Sequence, residues 1–401
     1  MKLNISKLNN CYGCGVCAIV CPEKIINVKL NAEGFYQPFI SDTLCCTECK
    51  LCLDVCAFNH SDVVAKSSKS IASYACWSKN KETRYSTSSG GACYELSKSG
   101  IERGYKVIGV EYDANAELAL HYMAQSVADL EKNKKSKYIP SFTLQGYSNI
   151  NKKDKFVIID TPCHIDSLRR YIKRLKIENN FLLIDFFCHG VPSMLLWKKY
   201  LHHAKKKTGK ILKATWRNKT QEWNDSWENI SKDEIFSKLD WQDSKRVKIW
   251  GEKGNYLSSV KKFDLYFSFF LGDRCLGKFC YDNCIYKGLA SSADIRVGDF
   301  LGKTYRADKN GVSCILSFSD KGNEFVEYLS ETCVLTAHAP EDITVVQMSE
   351  NAKRAKSYSF VTSKLQTKAS IPFISFIADF IDRKWKIFRI TSKIKLLLKL
   401  K

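Results

Sequence analysis

Two runs of four cysteines near the start of the chain constrain its fold more than any other feature. Both runs have the spacing C-x2-C-x2-C-x3-C: they are Cys11, Cys14, Cys17 and Cys21, followed at once by Pro22, and Cys46, Cys49, Cys52 and Cys56. Thiolates at this spacing are ligands of cubane iron–sulfur clusters. A zinc site or a disulfide framework is the alternative. Two matched runs, with glycines at 13 and 15 that permit tight turns around a cluster, favour two 4Fe-4S clusters.

This ligand pattern is that of the two-cluster bacterial ferredoxins, in which the fourth cysteine of each run binds the other cluster. We therefore predict an α+β ferredoxin-like two-cluster module over residues 1–62. One cluster is expected on Cys11, Cys14, Cys17 and Cys56, and the other on Cys46, Cys49, Cys52 and Cys21. Cys45 is a spare thiol beside a ligand. Because cluster thiols need a reducing interior, we place the protein in the cytoplasm.

The chain is longer and more basic than such a module requires. Its 401 residues suggest at least two domains, and its net charge is +21. An excess of positive charge of this size could attract an acidic redox partner, a phosphorylated cofactor, an anionic membrane or nucleic acid. Alternatively, it reflects only a lysine-rich composition. We do not expect nucleic acid, because no recognisable binding module is present. No run of eighteen uncharged apolar residues occurs, so no membrane-spanning helix is expected.

After a linker at residues 61–72, short β-rich runs alternate with helical stretches. This alternation predicts an α/β domain with a largely parallel sheet over residues 73–340, and a basic extension over residues 341–401. The predicted strands are 106–112, 156–160, 181–187, 295–299 and 313–318, and the predicted helices are 92–103, 165–175 and 194–206. Residues 221–255 receive no assignment.

Further cysteines stand where ligands gather in such a domain. Cys163 and Cys188 each follow a predicted strand, and Cys280 and Cys284 form a C-x3-C pair. In a parallel sheet the ends of the strands meet along one edge, which is where such folds bind ligands. These four thiols could hold a third 4Fe-4S cluster, with Cys275 as an alternative to Cys280. The remaining cysteines are expected in the core, where free cysteine is common: they are Cys76, Cys93, Cys314 and Cys333.

The sequence Ser88-Ser89-Gly90-Gly91 opens the predicted helix at 92–103. Glycine lets the backbone approach a ligand closely, and a helix N-terminus offers free N–H groups to an anion. The pattern therefore suggests a phosphate-binding turn, although serine before a helix is also an ordinary cap.

Six groups of residues in a fixed order carry a family resemblance over residues 11–317. They are Thr87–Gly91, Ser136-Lys137-Tyr138, Thr161-Pro162-Cys163, Asp185 with Cys188–Ser193, Arg217 with Lys219, and Asp294-Ile295 with Gly298-Asp299-Phe300. Together they resemble the coenzyme F420 hydrogenase/dehydrogenase beta-subunit family. The resemblance implies FAD beside 4Fe-4S clusters, with electrons passing between the clusters and an organic hydride partner. It places Ser88, Ser89, Gly90, Gly91, Lys137, Tyr138 and Thr161 at the flavin, and Cys163 on a cluster.

The chain departs from the family pattern at several positions. Asp160 and His164 stand where glycine and glutamine are usual, and Cys280 and Cys284 are one residue further apart than the usual pair. Ala57 replaces the second proline, and Leu301 stands where tryptophan is common. The assignment of ligands among Cys275, Cys280 and Cys284 stays open for this reason.

The prediction for function is a flavin-dependent iron–sulfur oxidoreductase. A one-electron donor such as ferredoxin would reduce the clusters, and a small-molecule hydride acceptor would take the electrons from FAD. Coenzyme F420 is a candidate acceptor where the organism makes it, and similar bacterial proteins suggest a link to surface-polysaccharide biosynthesis. The alternative is a non-catalytic electron-transfer subunit feeding a partner dehydrogenase or hydrogenase. No catalytic side chain is assigned.

The end of the chain has a separate signal. From Phe376 to Lys401, aromatic and aliphatic residues keep roughly helical spacing among many lysines and arginines. A basic amphipathic helix can lie in the interface of an anionic bilayer, so peripheral contact at the inner membrane face is one interpretation. Packing of the apolar face onto the body is the other.

Overall fold

A nine-stranded mixed sheet forms the body of the protein. The structure, a computed structural model, describes residues 4–7, 11–63, 71–219, 241–257, 264–282, 284–345, 347 and 349–384. The strands in the described residues form three sheets. They are β1 (Ile26–Leu30), β2 (Tyr36–Ile40), β3 (Ala72–Ser78), β4 (Tyr105–Asp113), β5 (Leu118–Ala124), β6 (Ser141–Phe142), β7 (Lys155–Ile159), β8 (Phe181–Phe186), β9 (Ile211–Arg217), β10 (Lys245–Gly251), β11 (Gly254–Leu257), β12 (Ile295–Asp299), β13 (Ser313–Ser317) and β14 (Cys333–Ala337). The order in the large sheet is β14-β3-β13-β12-β8-β7-β4-β5-β6.

The parallel part of this sheet is its centre. Strands β12, β8, β7 and β4 are mutually parallel, with Ile295 opposite Ile184 and Phe156 opposite Phe181. Strand β8 is buried along almost its whole length, as expected for a strand covered on both faces. Outside this centre, β13, β3 and β14 on one side are antiparallel to their neighbours. On the other side, β5 is antiparallel to β4 and parallel to β6. The predicted α/β architecture is therefore present, in a sheet that is mixed rather than parallel throughout.

Helices pack on both sides of the sheet and beyond it. They are α1 (Val16–Val20), α2 (Leu51–Asp54), α3 (Lys81–Ser86), α4 (Ala92–Glu102), α5 (Leu144–Tyr147), α6 (Pro162–Arg174), α7 (Met194–Thr208), α8 (Leu265–Phe270), α9 (Lys278–Asp282), α10 (Asp320–Thr332), α11 (Pro340–Thr344), α12 (Tyr358–Leu365) and α13 (371–384). Helix α6 begins three residues earlier than predicted. Pro162 occupies its first turn, where the fixed φ of proline suits a helix start.

The segment without a sequence assignment contributes to a second, smaller sheet. Strands β10 and β11 form a hairpin that pairs with β9 in the order β11-β10-β9. This sheet and α7 share a core of aromatic side chains, among which Trp197 and Trp216 are fully buried. Residues 221–240, in the rest of that segment, lie outside the described part of the chain.

Residues 11–63, here called the N-terminal segment, contain the antiparallel pair β1–β2 and the short helices α1 and α2. Its apolar core brings Ile26 and Ile40 together with cysteines from both runs. Most of the predicted linker, residues 64–70, lies outside the described residues, and β3 begins at Ala72. In the described part of the chain, no helix has both the length and the apolar composition needed to cross a bilayer.

Candidate functional site

Four thiols in the N-terminal segment form a buried group that combines both cysteine runs. This first thiol group consists of Cys11, Cys14, Cys17 and Cys56. Burial raises the pKa of Cys11 to about 12, an N–H from Gly13 opposes this, and the charge of Cys56 adds to it. Burial also raises the pKa of Cys17, and Cys14, Cys11 and Cys56 raise it further. Cys56 thus lies with three thiols of the other run, as the crossed ligand pattern requires.

The second thiol group lines a cavity at the surface of the same segment. It consists of Cys21, Cys46, Cys49 and Cys52, and Ile25, Ile26 and Ile40 form the apolar part of the wall. Cys49 is exposed. The spare Cys45 is not among the cavity-lining cysteines, and its Sγ lies 3.1 Å from Asp42 Oδ2.

The body of the protein brings four more thiols together from three separate segments. This third thiol group consists of Cys163 in the first turn of α6, Cys188 after β8, Cys280 in α9, and Cys284 just beyond α9. Burial raises the pKa of Cys163, the charges of Cys188, Cys284 and Cys280 raise it further, and the Thr161 hydroxyl, 3.5 Å from its Sγ, lowers it.

Cys275, the alternative ligand, lies in the aromatic core instead. Its carbonyl accepts a hydrogen bond from the Ser193 N–H, and burial raises its pKa to about 12. The geometry therefore favours Cys280 over Cys275 as the fourth member of the third thiol group. Of the cysteines expected in the core, Cys76, Cys314 and Cys333 are buried and Cys93 is partly buried.

Each thiol group has the composition of a cubane-cluster site. Within the described ranges, no three His, Cys, Asp or Glu side chains converge as they would on one metal ion. A cubane cluster holds a thiolate at each of four iron corners. Each of the three groups supplies four thiols, which is the donor set that a 4Fe-4S cluster needs.

Tyr12 lies between the first and third thiol groups. Burial raises the pKa of its phenol, and the charges of Cys163, Cys284, Cys280 and Cys56 raise it further, which places the ring close to both groups. Its ring packs edge-on against three other aromatic rings: the centroid distances are 5.4 Å to Phe58, 5.9 Å to Phe279 and 6.1 Å to Tyr286. Phe58 stands two residues after Cys56, Phe279 precedes Cys280 and Tyr286 stands two residues after Cys284, so these ring contacts join segments of both groups.

One face of α6 attaches the N-terminal segment to the body. Residues spaced three or four apart on a helix share a face, and four such residues of α6 reach residues 12–62. His164 Nε2 lies 3.0 Å from the Tyr12 carbonyl, and the Ser167 hydroxyl accepts a hydrogen bond of 3.0 Å from the Ala57 N–H. Arg170 donates to the Asp62 carbonyl, and Arg174 donates to Asp54. Helix α6 therefore carries Cys163 and holds the first thiol group beside it.

Asp160 is the centre of a buried polar network at the start of α6. Tyr147 donates its hydroxyl to the Asp160 carboxylate, His164 Nδ1 lies 2.9 Å from Oδ2, and His121 Nε2 lies 3.0 Å from the same oxygen. Burial would raise the pKa of Asp160, but His164 and His121 hold it well below its usual value. The carboxylate that replaces the usual glycine is thus paired in the interior, and it does not point to solvent.

A buried ion pair positions the loop that follows Cys284. Arg296 donates two hydrogen bonds of 2.7 Å to the Asp185 carboxylate, and both side chains are almost fully buried. The same guanidinium donates to the carbonyls of Gly288 and Ala290. In that loop Lys287 Nζ donates to the Cys188 carbonyl at 2.7 Å. These bonds fix the loop between two members of the third thiol group.

A second candidate site, here called the Arg217 site, joins most of the remaining motif residues. Arg217 Nη1 lies 2.7 Å from Asp299 Oδ2 and 3.3 Å from the Tyr138 hydroxyl, and Nη2 donates to the Ser88 carbonyl at 3.4 Å. Burial alone would lower the pKa of Arg217, but Asp299 and Tyr138 raise it. Lys219 Nζ donates to the Ser89 carbonyl at 3.0 Å. Two cations and the serine–glycine turn therefore meet at the ends of β9 and β12.

The serine–glycine turn is shaped by the sheet as well as by any ligand. A Cβ on Gly90 would lie 2.3 Å from the Cys76 carbonyl oxygen and 2.6 Å from the Ser313 nitrogen, so only glycine fits between β3 and β13. Gly91 has a φ of +95° and immediately precedes α4. The Ser88 hydroxyl accepts a hydrogen bond of 2.9 Å from the Ser136 N–H. This bond joins the turn to the loop that carries Lys137 and Tyr138.

Two of the predicted flavin residues have other contacts. Lys137 Nζ donates to the carbonyls of Lys132 and Lys134 in its own loop, and burial lowers its pKa to about 7, against the opposing charges of Glu111 and Cys93. Thr161 lies beside Cys163, and its N–H donates to Asp160 at 2.6 Å. These contacts connect Thr161 to the third thiol group and not to the Arg217 site.

Sequence reasoning missed three residues of this arrangement. Tyr12 lies between two predicted ligand cysteines in the chain, but its contact with the third thiol group depends on the docking of α6. His121 and Tyr147 come from β5 and α5, and only the unusual Asp160 hinted that buried partners were needed. A further histidine, His189, follows Cys188 in the chain. Its Nε2 lies 2.7 Å from Asp273 Oδ1.

Comparison with known proteins gives one family match. Residues 153–343 match the model that describes the C terminus of the coenzyme F420 hydrogenase/dehydrogenase beta subunit. Comparison with curated proteins gave no significant match. Among solved structures, a chain of the F420-reducing NiFe hydrogenase complex from Methanosarcina barkeri matches over 82% of this chain and 96% of its own length, with 13% sequence identity and a TM-score of 0.45. A structural similarity of that size supports no functional argument.

Proposed function

Residues 153–343 belong to the coenzyme F420 hydrogenase/dehydrogenase beta-subunit family, and from this premise we propose that the protein is an iron–sulfur flavoprotein oxidoreductase. The family is one of hydrogenase and dehydrogenase subunits, so a role in electron transfer follows from membership. The finer proposal is that three 4Fe-4S clusters and one FAD pass electrons between a ferredoxin-type donor and an organic hydride acceptor. The packing of the Tyr12 ring against Phe58, Phe279 and Tyr286, which stand within two residues of Cys56, Cys280 and Cys284 in the chain, carries this proposal.

The order of the thiol groups supports a route from the surface to the interior. The second thiol group includes the exposed Cys49, so a protein donor can approach it. The first thiol group lies in the same apolar core as the second, because Cys17 of the first group and Cys52 of the second both belong to that core. In the proposed route, electrons pass next from the first thiol group to the third, and the ring of Tyr12 lies beside both. Protein around the inner groups excludes water and fixes the separation of the centres, which is the part that the chain itself contributes.

The Arg217 site is the proposed flavin site. Its turn from Ser88 to Gly91 precedes the N-terminus of α4, whose N–H groups favour phosphate. Arg217 and Lys219 add positive charge, and the Tyr138 ring offers an apolar surface next to Phe267 and Phe270. We assign Lys137 to the loop that carries Tyr138, and Thr161 to the third thiol group beside Cys163. When bound, a flavin converts single electrons into hydride transfer.

The acceptor is proposed as a class only. A small organic molecule that takes up a hydride fits the family, and coenzyme F420 is one candidate in organisms that make it. A cytoplasmic location follows from the need of cluster thiols for a reducing compartment. The link to surface-polysaccharide biosynthesis stays a prediction from the resemblance.

The test is reduction of the flavin through the clusters. Anaerobically prepared holoprotein is mixed rapidly with reduced ferredoxin, and the absorbance of the flavin is followed separately from that of iron. Wild-type protein should show cluster reduction followed by loss of the oxidised flavin band. Cys163→Ser should keep flavin bound and slow its reduction at least about tenfold, whereas Cys275→Ser, in the aromatic core, should behave as wild type.

Equal rates of flavin reduction in Cys163→Ser and wild type would contradict the proposed route. Flavin reduction without transfer to any organic acceptor, but with transfer to a partner dehydrogenase, would favour the electron-transfer subunit. Protein that binds no flavin under anaerobic reconstitution would reject the flavoprotein assignment.

A further inference from the structure

Helix α13 has two apolar faces, and among the residues that the structure describes only one of these faces packs on the body. Ile371, Ile374 and Ala378 are buried in the core that includes Val361 and Leu365. On the other face, Phe373, Phe376 and Phe380 have 52%, 71% and 60% of their surface exposed. Their spacing of three and four residues places these rings in one row on the helix. Packing on the body therefore accounts for one apolar face of the helix, and the membrane interpretation stays a prediction for the other.

Both acidic residues of α13 are ion-paired with the body, including Asp379, which follows Phe376 by three residues and is 46% exposed. Arg274 donates to Asp379 at 2.6 Å and to Asp382 at 3.0 Å, and the backbone N–H of Ser357 also donates to Asp382. These bonds fix the rotation of the helix and engage both of its carboxylates with the body. Arg383 and Lys384 are exposed and follow Phe380 by three and four residues, so they lie next to it on the helix surface.

We propose that this aromatic and basic face of α13 binds the surface of an anionic lipid bilayer. Exposed phenylalanines next to cations are the residues that an interfacial helix inserts at the boundary of headgroups and acyl chains. The charge of the chain points to the same occupant, because residues 385–401 contain six lysines and arginines and no acidic residue. A second copy of the chain would carry the same net charge of +21, and this charge opposes its approach.

The inference goes beyond the redox proposal and does not depend on it. The face lies on the side of α13 opposite its packing surface, and Arg274 clamps the helix in place before any lipid is bound. The protein would therefore bind the membrane with a preformed surface.

The test is flotation of the full-length holoprotein with liposomes of phosphatidylcholine alone and of phosphatidylcholine mixed with phosphatidylglycerol. Wild type should float with the anionic liposomes and not with the neutral ones, and binding should weaken as salt is raised. Phe376→Ser and the triple change of Phe373, Phe376 and Phe380 to Ser should reduce binding, the triple variant by about tenfold or more. Changing Arg383 and Lys384 to Gln should weaken it roughly fivefold per residue.

Leu212→Ser is the matched control, because this exposed side chain of β9 lies outside α13 and should not affect flotation. Circular dichroism and cofactor content of each variant show whether it is folded, and the single Phe376→Ser change keeps the test valid if the triple variant is unstable. Equal binding of the phenylalanine variants and wild type would mean attraction by charge alone and would overturn the proposal. A second result would also overturn it: wild type forms a dimer that does not bind liposomes, and Phe376→Ser dissociates that dimer. A second copy of the chain would then cover the aromatic face.

Discussion

The imidazole of His164 is held against the carboxylate of Asp160, with Nδ1 2.9 Å from Oδ2. Its other nitrogen, Nε2, lies 3.0 Å from the carbonyl oxygen of Tyr12, which belongs to the loop between Cys11 and Cys14. A residue of the body therefore orients the loop that supports the first thiol group. Neither ring nitrogen is free, so this histidine is a positioning residue in the present arrangement.

Replacing His164 should loosen the attachment of the N-terminal segment. We expect His164→Ala to lower the free energy of unfolding by about 2–3 kcal/mol, because it leaves the buried Asp160 and the Tyr12 carbonyl with one partner fewer. His164→Gln can still offer one polar contact and should cost less. Anaerobic urea denaturation followed by circular dichroism measures both values. Equal stability of His164→Ala and wild type would show that the contact does not hold the segment.

Replacing one member of the third thiol group should remove one cluster and leave the others. Cys163→Ser should lower the iron content by about four atoms per chain, since a cubane cluster holds four. Cys275→Ser is the control and should keep the full iron content, because Cys275 lies in the aromatic core. Iron analysis and electron paramagnetic resonance of the reduced proteins measure the difference. Loss of iron in the Cys275 variant and not in the Cys163 variant would reverse the ligand assignment.

Breaking the ion pair between Asp185 and Arg296 should affect both stability and the third thiol group. Arg296→Met leaves a fully buried carboxylate without its bidentate partner, and such a change typically costs about 3–5 kcal/mol. The loop at 284–291 would also lose its bonds from the guanidinium. We therefore expect lower stability together with loss of iron from the third group. Arg174→Met, which removes an exposed ion pair with Asp54, is the control and should cost at most about 1 kcal/mol.

The pH dependence of stability should reveal Lys137. Burial lowers its pKa from 10.5 to about 7 in the folded protein. Between these two values the unfolded chain binds more protons than the folded one, so the free energy of unfolding rises with pH across this window. Below about pH 7 the lysine is charged in both the folded and the unfolded chain, and the free energy of unfolding is lowered by the full cost of desolvating that charge. Wild type should therefore gain stability relative to Lys137→Met as pH rises from 7 to 10.5, and parallel pH profiles would contradict the lowered pKa of this group.

Local patterns in the sequence predicted much of the fold because the central strands are short apolar runs. The structure has β12 at the predicted residues, and β7, β8 and α4 end within one residue of their predictions. The directions of the outer strands could not be predicted this way, since β3, β13 and β14 have the same apolar character whether they pair parallel or antiparallel.

The candidate sites were predictable in composition and much less so in their contacts. Cysteine spacing predicted the first and second thiol groups, because the ferredoxin pattern takes three ligands from one run and the fourth from the other. The third group was predicted from cysteines that follow strands and from the C-x3-C pair. The link from His164 to Tyr12 joins residues 152 positions apart and depends on how α6 docks. The same holds for Asp379 and Asp382, whose pairing with Arg274 decides which face of α13 is exposed. Periodicity alone does not separate two apolar faces on one helix.

The central claim is that one chain holds three clusters and one flavin in sequence. The most direct measurement is the iron, acid-labile sulfide and flavin content of the anaerobically purified protein. We expect about twelve iron atoms and twelve sulfides per chain, as three cubane clusters require, and one flavin released on denaturation. Iron near eight atoms per chain, or no flavin after anaerobic reconstitution, would contradict the claim.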